Sequence, residues 1–330
     1  MNFSAAPART PRGKSQMTQY LIRRGIISVV TLIVISMVVY GILYLAPGDP
    51  LSGFANNPNV PAARRAAIAD QMGINDPLHV QYWKWASNYA QGNWSDSYTS
   101  RSPVRDVVIG RLPTTLAIVG SSFLISLLIA IPVGVLAAIK QYSVFDQVST
   151  TFAFLGFSLP TFFSGLLVIL LFSVKLDWFP FVFDSTTQGI WPNIKQSIMP
   201  VGVLALAGSA SLTRFVRASM LEIISQDYVR TARAKGLRER VVITFHAMRN
   251  ALIPVVTIIA LQIPEIFGGA IITEQIFRVP GIGSLLIDSI GSADTPVVMA
   301  IAFGIAILVV IFNVVADVLY ALLDPRIKLS

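Results

Sequence analysis

Residues 114–139 read TTLAIVGSSFLISLLIAIPVGVLAAI, a run without a single charged side chain. An α-helix rises about 1.5 Å per residue, so a helix of this length crosses the roughly 30 Å hydrocarbon core of a bilayer. A helix in a soluble protein needs only an apolar stripe and keeps polar residues on its other face. The stretch therefore predicts a membrane-spanning helix.

The composition of the whole chain points the same way. Hydrophobic residues make up 54% of the sequence and charged residues only 13%, against roughly 25% charged residues in a typical soluble domain. The net charge of +8 would suit a nucleic-acid partner, but the basic residues follow the loops between apolar runs, as membrane topology requires. We therefore expect membrane lipid, and no nucleic acid, as a partner.

The first apolar run, Ile26–Ala46, follows Arg23 and Arg24. It is longer than the apolar part of a signal peptide, and Tyr44-Leu45-Ala46 lacks the small residues of a cleavage site. We interpret it as an uncleaved span. The sequence predicts an all-α polytopic fold with six spans: Ile26–Ala46, Thr114–Ile139, Gln147–Val174, Gln196–Thr213, Asn250–Thr273 and Thr295–Ala316.

Charge asymmetry orients these spans. With the N-terminus inside, 16 of the 25 Lys and Arg residues fall on the inner segments, and such a positive bias marks the cytoplasmic side. Either Met1 or Met17 serves as the start. The predicted order is a cytoplasmic basic tail (1–25), the first span (26–46), an extracytoplasmic segment (47–113), a five-helix transmembrane core (114–323) with a cytoplasmic loop (214–249), and a cytoplasmic tail (324–330).

The extracytoplasmic segment carries two further patterns. Residues 58–72 have the composition of a short amphipathic helix. Residues 80–98 are rich in aromatic side chains, a composition typical of a membrane–water interface. A ligand cage is the alternative interpretation of these side chains. These side chains are Tyr82, Trp83, Trp85, Tyr89, Trp94 and Tyr98.

The loop 214–249 is longer than a turn between spans requires. Ser225 is a candidate cap for a helix over Asp227–Lys235, and Gly236 suits the left-handed position after a helix end. A second helix, Glu239–Met248, is expected to follow. Two short helices joined at a glycine predict a firm protrusion that docks in a groove of a partner.

The stretch from Asp227 to Leu237, DYVRTARAKGL, resembles the cytoplasmic coupling loop of binding-protein-dependent ABC importer permeases, and more narrowly that of the dipeptide/oligopeptide branch. Ala232 and Gly236 match the family pattern, whereas Arg230 and Thr231 stand where Glu-Ala is general. The resemblance covers about residues 17–330. Further patches support it in order: Leu45-Ala46-Pro47-Gly48-Asp49-Pro50, Arg111-Leu112-Pro113-Thr114-Thr115-Leu116, Arg249-Asn250-Ala251-Leu252-Ile253-Pro254, Gly268-Gly269-Ala270 with Glu274, Phe277, Pro280, Gly281 and Gly283, and Asp324-Pro325-Arg326.

The resemblance implies a type I ABC importer permease in a bacterial or archaeal plasma membrane. Its partners would be a second homologous permease, two cytoplasmic ATPase subunits and an extracytoplasmic solute-binding protein. Peptides are the expected solute, with oligosaccharide, glutathione or a nickel complex as alternatives. The implied ATPase-coupling residues are Asp227, Tyr228, Arg230, Thr231, Ala232, Arg233, Ala234, Lys235 and Gly236.

If the chain is such a permease, it is expected to have no nucleotide site of its own. Gly13-Lys14-Ser15 resembles the end of a phosphate-binding loop, but Ala8 stands where its first glycine belongs. ATP and Mg²⁺ are therefore expected in the partner ATPases, and no cofactor on this chain. No catalytic residue is predicted, there is no cysteine, and His79 and His246 lie too far apart to suggest a metal site.

One acidic residue, Glu265, lies in the middle of a predicted span, close to Gln262 and Pro264. Because an intramembrane acid is costly, Glu265 and Gln262 are candidate pathway residues, with a structural hydrogen bond as the alternative role for Glu265. Asp317, near the end of its span, is interpreted as interfacial. An ion-coupled secondary transporter and an intramembrane hydrolase fit less well, because the spans are unlike one another and no histidine lies within them.

Overall fold

The computed structural model describes residues 12–45 and 76–323. The amphipathic helix expected over residues 58–72, the residues after Leu45 in the first motif patch and the Asp324-Pro325-Arg326 patch lie outside the described residues. Within the described ranges every extended regular element is a helix, and the one isolated β-bridge joins Asp96 to Pro103.

Eleven helices are present in the described ranges. They are α1 (Arg12–Leu45), α2 (Leu78–Ala90), α3 (Val104–Ile139), α4 (Val144–Ser158), α5 (Thr161–Val168, continued by a π-helix over Ile169–Lys175), α6 (Ile190–Ile224), α7 (Asp227–Ala234), α8 (Glu239–Val241, continued by a π-helix over Val242–Met248), α9 (Arg249–Ile276), α10 (Ile282–Gly291) and α11 (Thr295–Leu323).

Five helices in the described ranges are long and apolar enough to cross a membrane: α1, α3, α6, the continuous helix Glu239–Ile276, and α11. The sixth predicted span, Gln147–Val174, is not one straight helix. It consists of α4 and α5, which meet at an angle of 105°. Leu159 is extended, with φ −84° and ψ 125°, because the ring of the following proline disfavours the helical conformation there. The all-α polytopic class is confirmed, with this span broken.

Helix ends differ from the ends of the apolar runs. The second span begins at Val104 rather than Thr114, and the fourth extends from Ile190 to Ile224. The expected second loop helix, Glu239–Met248, is no separate element, because it runs without a break into the fifth span and ends at Ile276. Backbone hydrogen bonding does not stop at the edge of the apolar region, so hydropathy alone underestimates the helix lengths.

The centre of the fold is the pairing of α3 with α6. Gly134 of α3 lies against Val216 of α6, where a Cβ atom would approach the Val216 Cβ to 2.7 Å. Around this contact, Leu212, Met220 and Ala251 are fully buried. Most large apolar side chains on the outer faces of the helices are exposed in the single chain, as expected where lipid or a membrane partner replaces water.

The first helix is peripheral and packs chiefly on α11. An ion pair of 2.9 Å joins Arg24 of α1 to Asp317 of α11. This pair joins the first described helix to the last, so Asp317 makes a structural contact in addition to its position near the end of its span.

Candidate functional site

The loop between α6 and α9 carries the predicted coupling residues. Its helix α7 begins at Asp227, with Gln226 as the cap residue. The expected capping role of Ser225 is wrong: Ser225 ends α6, and its hydroxyl donates a hydrogen bond of 2.8 Å to the backbone oxygen of Glu222. The hydroxyl is thus used by the preceding helix and does not cap α7.

Gly236 has φ +75°, so the left-handed position expected after the helix is confirmed. The N–H of Gly236 donates to the carbonyl of Arg233 at 2.9 Å, and that of Lys235 donates to the carbonyl of Thr231 at 3.0 Å. These bonds satisfy carbonyls that the end of a helix leaves without partners. The chain turns sharply here and enters α8.

One face of α7 packs against the rest of the protein. Val229 and Ala232 are buried together with Val242 of the π-helix after α8, and Ile223 packs on the same cluster. Ala232 thus points into the loop and does not offer a surface to a partner. The other predicted coupling residues are exposed: Asp227, Tyr228, Arg230, Thr231, Arg233, Ala234, Lys235 and Gly236.

An ion pair fixes the angle between the two arms of the loop. The guanidinium of Arg233 donates to the carboxylate of Glu239 at 2.8 Å, and this contact raises the pKa of Arg233. Both side chains are partly exposed, so the pair itself contributes little free energy. Its consequence is geometric: α7 is tied to the helix that continues as α9, while its other end follows directly from α6. A force on α7 therefore reaches two long helices.

The candidate pathway residues both lie in α9. The side chain of Gln262 is buried within the chain. The side chain of Glu265 lies outside the described part of the structure, so its pathway role stays a prediction. Within the described ranges no group of three His, Cys, Asp or Glu residues is placed to hold a metal ion.

A buried carboxylate, Glu274, is the polar centre of the opposite end of the fold. Glu274 has no exposed surface. It accepts hydrogen bonds from the hydroxyl of Thr115 at 2.6 Å and from the backbone N–H groups of Gly283 and Ser284 at 2.7 and 3.2 Å. Thr115 in turn accepts from the N–H of Ile282 at 2.8 Å. The first N–H groups of α10 are thereby satisfied.

This centre was not recognised from the sequence, where Glu274 stood only as one member of a motif patch. The signal was present in two glycines that follow it, Gly281 and Gly283. A Cβ at Gly281 would lie 2.2 Å from Glu274 Oε1, and one at Gly283 would lie 2.4 Å from the Cα of Ile271. The patch therefore encodes a tight approach of α10 to the end of α9.

A second buried carboxylate, Asp294, lies just after α10. It accepts hydrogen bonds from the hydroxyl of Ser97 and from the N–H groups of Tyr98 and Thr99, at 3.1 and 3.2 Å for the two backbone groups. The segment before α3 is thus fastened to the connection between α10 and α11.

Several aromatic residues between positions 82 and 94 contact one another. Tyr89 and Trp94 stack with ring centroids 4.8 Å apart, and Trp85 meets Phe303 of α11 edge to face. Burial raises the pKa of Tyr89 to about 12. The rings form a packed cluster between α2 and α11.

These features define a multi-pass helical membrane protein with a structured loop that joins two of its long helices. The family described as "binding-protein-dependent transport system inner membrane component" matches residues 130–329, and its N-terminal counterpart matches residues 17–119. The chain belongs to this family of transport permeases, which confirms the resemblance inferred from its motifs.

Curated relatives match over nearly their whole length. The oligopeptide transport system permease protein AppB of Bacillus subtilis (strain 168) is 42% identical over 316 residues, covering 94% of this chain and 100% of AppB. The glutathione transport system permease protein GsiC of Escherichia coli (strain K12) is 37% identical over 312 residues, covering 94% of this chain and 99% of GsiC.

Proposed function

We propose that this chain forms part of the membrane pathway of an ATP-driven importer for peptides. Its family membership supports the transport role, and the similarity to an oligopeptide permease supports peptides as the solute. The similarity to a glutathione permease favours glutathione, itself a small peptide, as the second candidate. An oligosaccharide or a nickel complex is a more distant alternative within the same family.

The proposed orientation places both termini and the α6–α9 loop in the cytoplasm of a bacterial or archaeal cell. The inner segments then carry 16 of the 25 Lys and Arg residues, in line with the positive-inside rule. The Glu274 and Asp294 centres and the aromatic cluster face the extracytoplasmic side in this orientation.

The proposed assembly contains a second, homologous permease, two cytoplasmic ATPase subunits and an extracytoplasmic solute-binding protein. ATP and Mg²⁺ belong to the ATPase subunits. The large apolar outer surface of the single chain supports contact with lipid and with a second membrane subunit. Gln262 and Glu265 of α9 are proposed as pathway residues.

Coupling is proposed to pass through α7. Its exposed residues include the half-exposed ring of Tyr228 and Arg230, which lies 3.6 Å from Asp227, and the exposed Lys235 follows its last turn. The cations suit a groove with acidic residues at its rim. Movement of the ATPases would push α7, and the Arg233–Glu239 pair and the Val229 cluster would pass that movement to α6 and α9. The observation that carries this proposal is the contact of an exposed helix with two long helices, through the Val229 cluster and the Arg233–Glu239 pair.

Charge reversal on α7 tests the coupling role. Arg230→Glu with Lys235→Glu should reduce the ATPase subunits that co-purify with the permease, while membrane insertion stays normal. The matched control is Arg101→Glu with Arg105→Glu, which makes the same change of charge at exposed positions on the other end. If the α7 variant keeps its ATPases and its uptake, α7 is not the coupling element.

The solute is tested in cells that lack this chain and its relatives. Uptake of a labelled tripeptide should return when the chain is restored with its partner subunits. Glutathione, an oligosaccharide and a nickel complex are measured in parallel. Uptake of one of these without uptake of the tripeptide would replace peptides as the assigned solute.

A further inference from the structure

Arg214 is an unusual cation in α6. It directly follows the uncharged run Gln196–Thr213, and it lies ten residues before the end of the helix at Ile224, or about 15 Å along the axis. In the orientation proposed above, this position lies near the inner edge of the membrane. A long cationic side chain at this position can reach the level of the lipid headgroups.

No acidic residue in the described ranges pairs with Arg214. The Nε atom of Arg214 is buried and makes no hydrogen bond among these residues. The guanidinium instead lies over the ring of Phe157 in α4, 4.3 Å from its centroid, and near Phe154 at 5.8 Å. The guanidinium thus lies against aromatic rings and has no acidic partner among the described residues.

The neighbouring cation, Arg217, differs from Arg214 because it is paired with a carboxylate. Its Nε and Nη2 atoms donate to the two carboxylate oxygens of Asp146 at 2.6 and 2.8 Å. Asp146 is buried and also accepts from the N–H of Tyr142. Because Arg217 already occupies this carboxylate, Asp146 does not balance Arg214.

A cavity of about 570 Å³ opens beside these residues between α4 and α6. It is lined by Tyr142, Asp146, Gln147, Thr150, Thr151, Phe154, Leu155 and Arg217, and most of its surface is apolar. Arg214 is not one of the lining residues and meets the cavity only through Phe154. The ring of Phe154 thus lines the cavity and contacts Arg214. Around it, Phe152 and Phe157 expose 71% and 59% of their surface. Polar groups beside a wide apolar wall suit an amphipathic ligand.

We propose that Arg214 binds the phosphate of an anionic phospholipid of the inner leaflet, with an acyl chain along Phe154 and Leu155. The unpaired guanidinium supplies the charge, and the exposed aromatic wall supplies contact with hydrocarbon. This inference rests on the orientation and membrane setting of the proposed function. The bound lipid occupies the angle between α6 and the bent α4–α5 span.

The experiment measures phospholipid retained by the assembled protein. The chain is purified through a tag, with whatever subunits accompany it, from nanodiscs of phosphatidylcholine containing phosphatidylglycerol, and retained lipid is counted by mass spectrometry. As the phosphatidylglycerol fraction of the discs is varied, Arg214→Gln should lower the apparent affinity of its retention about fivefold, the factor for one basic group at an anionic membrane. Arg214→Lys should keep part of it. The control Lys140→Gln removes an exposed cation at the end of α3 and should change nothing.

Three results would overturn the proposal. Arg214→Gln and the unaltered protein could retain equal phosphatidylglycerol. The variant could lose its second permease whether or not phosphatidylglycerol is present in the discs, which would assign Arg214 to a carboxylate of that subunit. It could alter the KM for the solute with retained lipid unchanged, which would place Arg214 in the pathway. Co-purification of the ATPases is scored separately, so failure of the lipid site is distinguishable from failure of the transport function.

Discussion

The carboxylate of Glu274, at the end of α9, accepts a hydrogen bond of 2.6 Å from the hydroxyl of Thr115 in α3. The two residues are 159 positions apart. The same carboxylate accepts the N–H of Gly283 in α10, so three helices meet at one buried acid. We infer that this end of the permease moves as one body, and that changes of shape occur elsewhere, for example at the bend between α4 and α5.

Removing the acid should destabilise the protein. Glu274→Ala leaves two N–H groups and a hydroxyl without their acceptor, and each buried unsatisfied donor costs about 1–3 kcal/mol. We expect a lower melting temperature of the purified protein, with a smaller loss for Glu274→Gln, which keeps an acceptor oxygen. Glu222→Ala, at an exposed acid in α6, should leave the melting temperature unchanged. Equal melting temperatures for Glu274→Ala and Glu222→Ala would contradict the structural role.

The approach of α10 to α9 leaves no room for a methyl group at Gly283. A Cβ there would lie 2.4 Å from the backbone of Ile271 and 2.9 Å from Glu274 Oε2. Gly283→Ala should therefore cost about 1–3 kcal/mol, as overpacking does. Gly291→Ala is the matched control in the same helix, because a Cβ there meets nothing within 4 Å. Thermal unfolding of both variants checks the difference, and a Gly283→Ala protein as stable as the control would refute it.

The turn at Gly236 should be required for coupling. Its φ of +75° costs a β-branched residue about 1–2 kcal/mol, so Gly236→Val should change the angle between α7 and α8. Uptake and solute-stimulated ATP hydrolysis should fall together, with normal amounts of protein in the membrane. Gly92→Val is the control, since Gly92 has φ +81° and open space around it at the other end of the protein. Equal uptake by the two variants would separate the turn from coupling.

Orientation is open to cysteine labelling, because the natural chain contains no cysteine. A cysteine at Gln141, in the turn between α3 and α4, should react only from the cytoplasmic side. Cysteines at Ser87 and Ser185, both exposed, should react from outside. Gln141 is preferable to Ser143, whose hydroxyl accepts the N–H of Asp146 and caps α4. Reaction of Gln141→Cys with an impermeant reagent from outside would reverse the assigned topology.

The pathway role of Glu265 predicts a functional change without a structural one. Glu265→Gln removes the charge at nearly constant volume, so uptake should change while the melting temperature and the amount of co-purified partner stay the same. Glu222→Gln, an acid of the exposed end of α6, serves as the control with normal uptake. A loss of stability instead would assign Glu265 a structural hydrogen bond. Unaltered uptake and stability would exclude both roles.

Two prolines in similar uncharged runs have different effects on the backbone. Pro132 and Pro160 both lie within uncharged runs, yet α3 continues through Pro132 whereas the chain turns by 105° between α4 and α5 at Pro160. A proline removes one backbone hydrogen bond in either case. Whether the helix continues depends on what packs against the freed backbone, and that is a property of neighbours distant in the sequence.

The sequence by itself determined the class of protein, the number of apolar runs, the helical loop and its left-handed glycine. These features follow from local physics, since uncharged runs must lie in hydrocarbon and Gly236 relieves a clash within its own turn. Only the tertiary structure decided that Ala232 faces inward, that Asp317 pairs with Arg24, 293 residues away, and that Glu274 receives its donors from two other helices. Burial and pairing of a charge depend on which distant segments surround it, because desolvation is set by the whole fold.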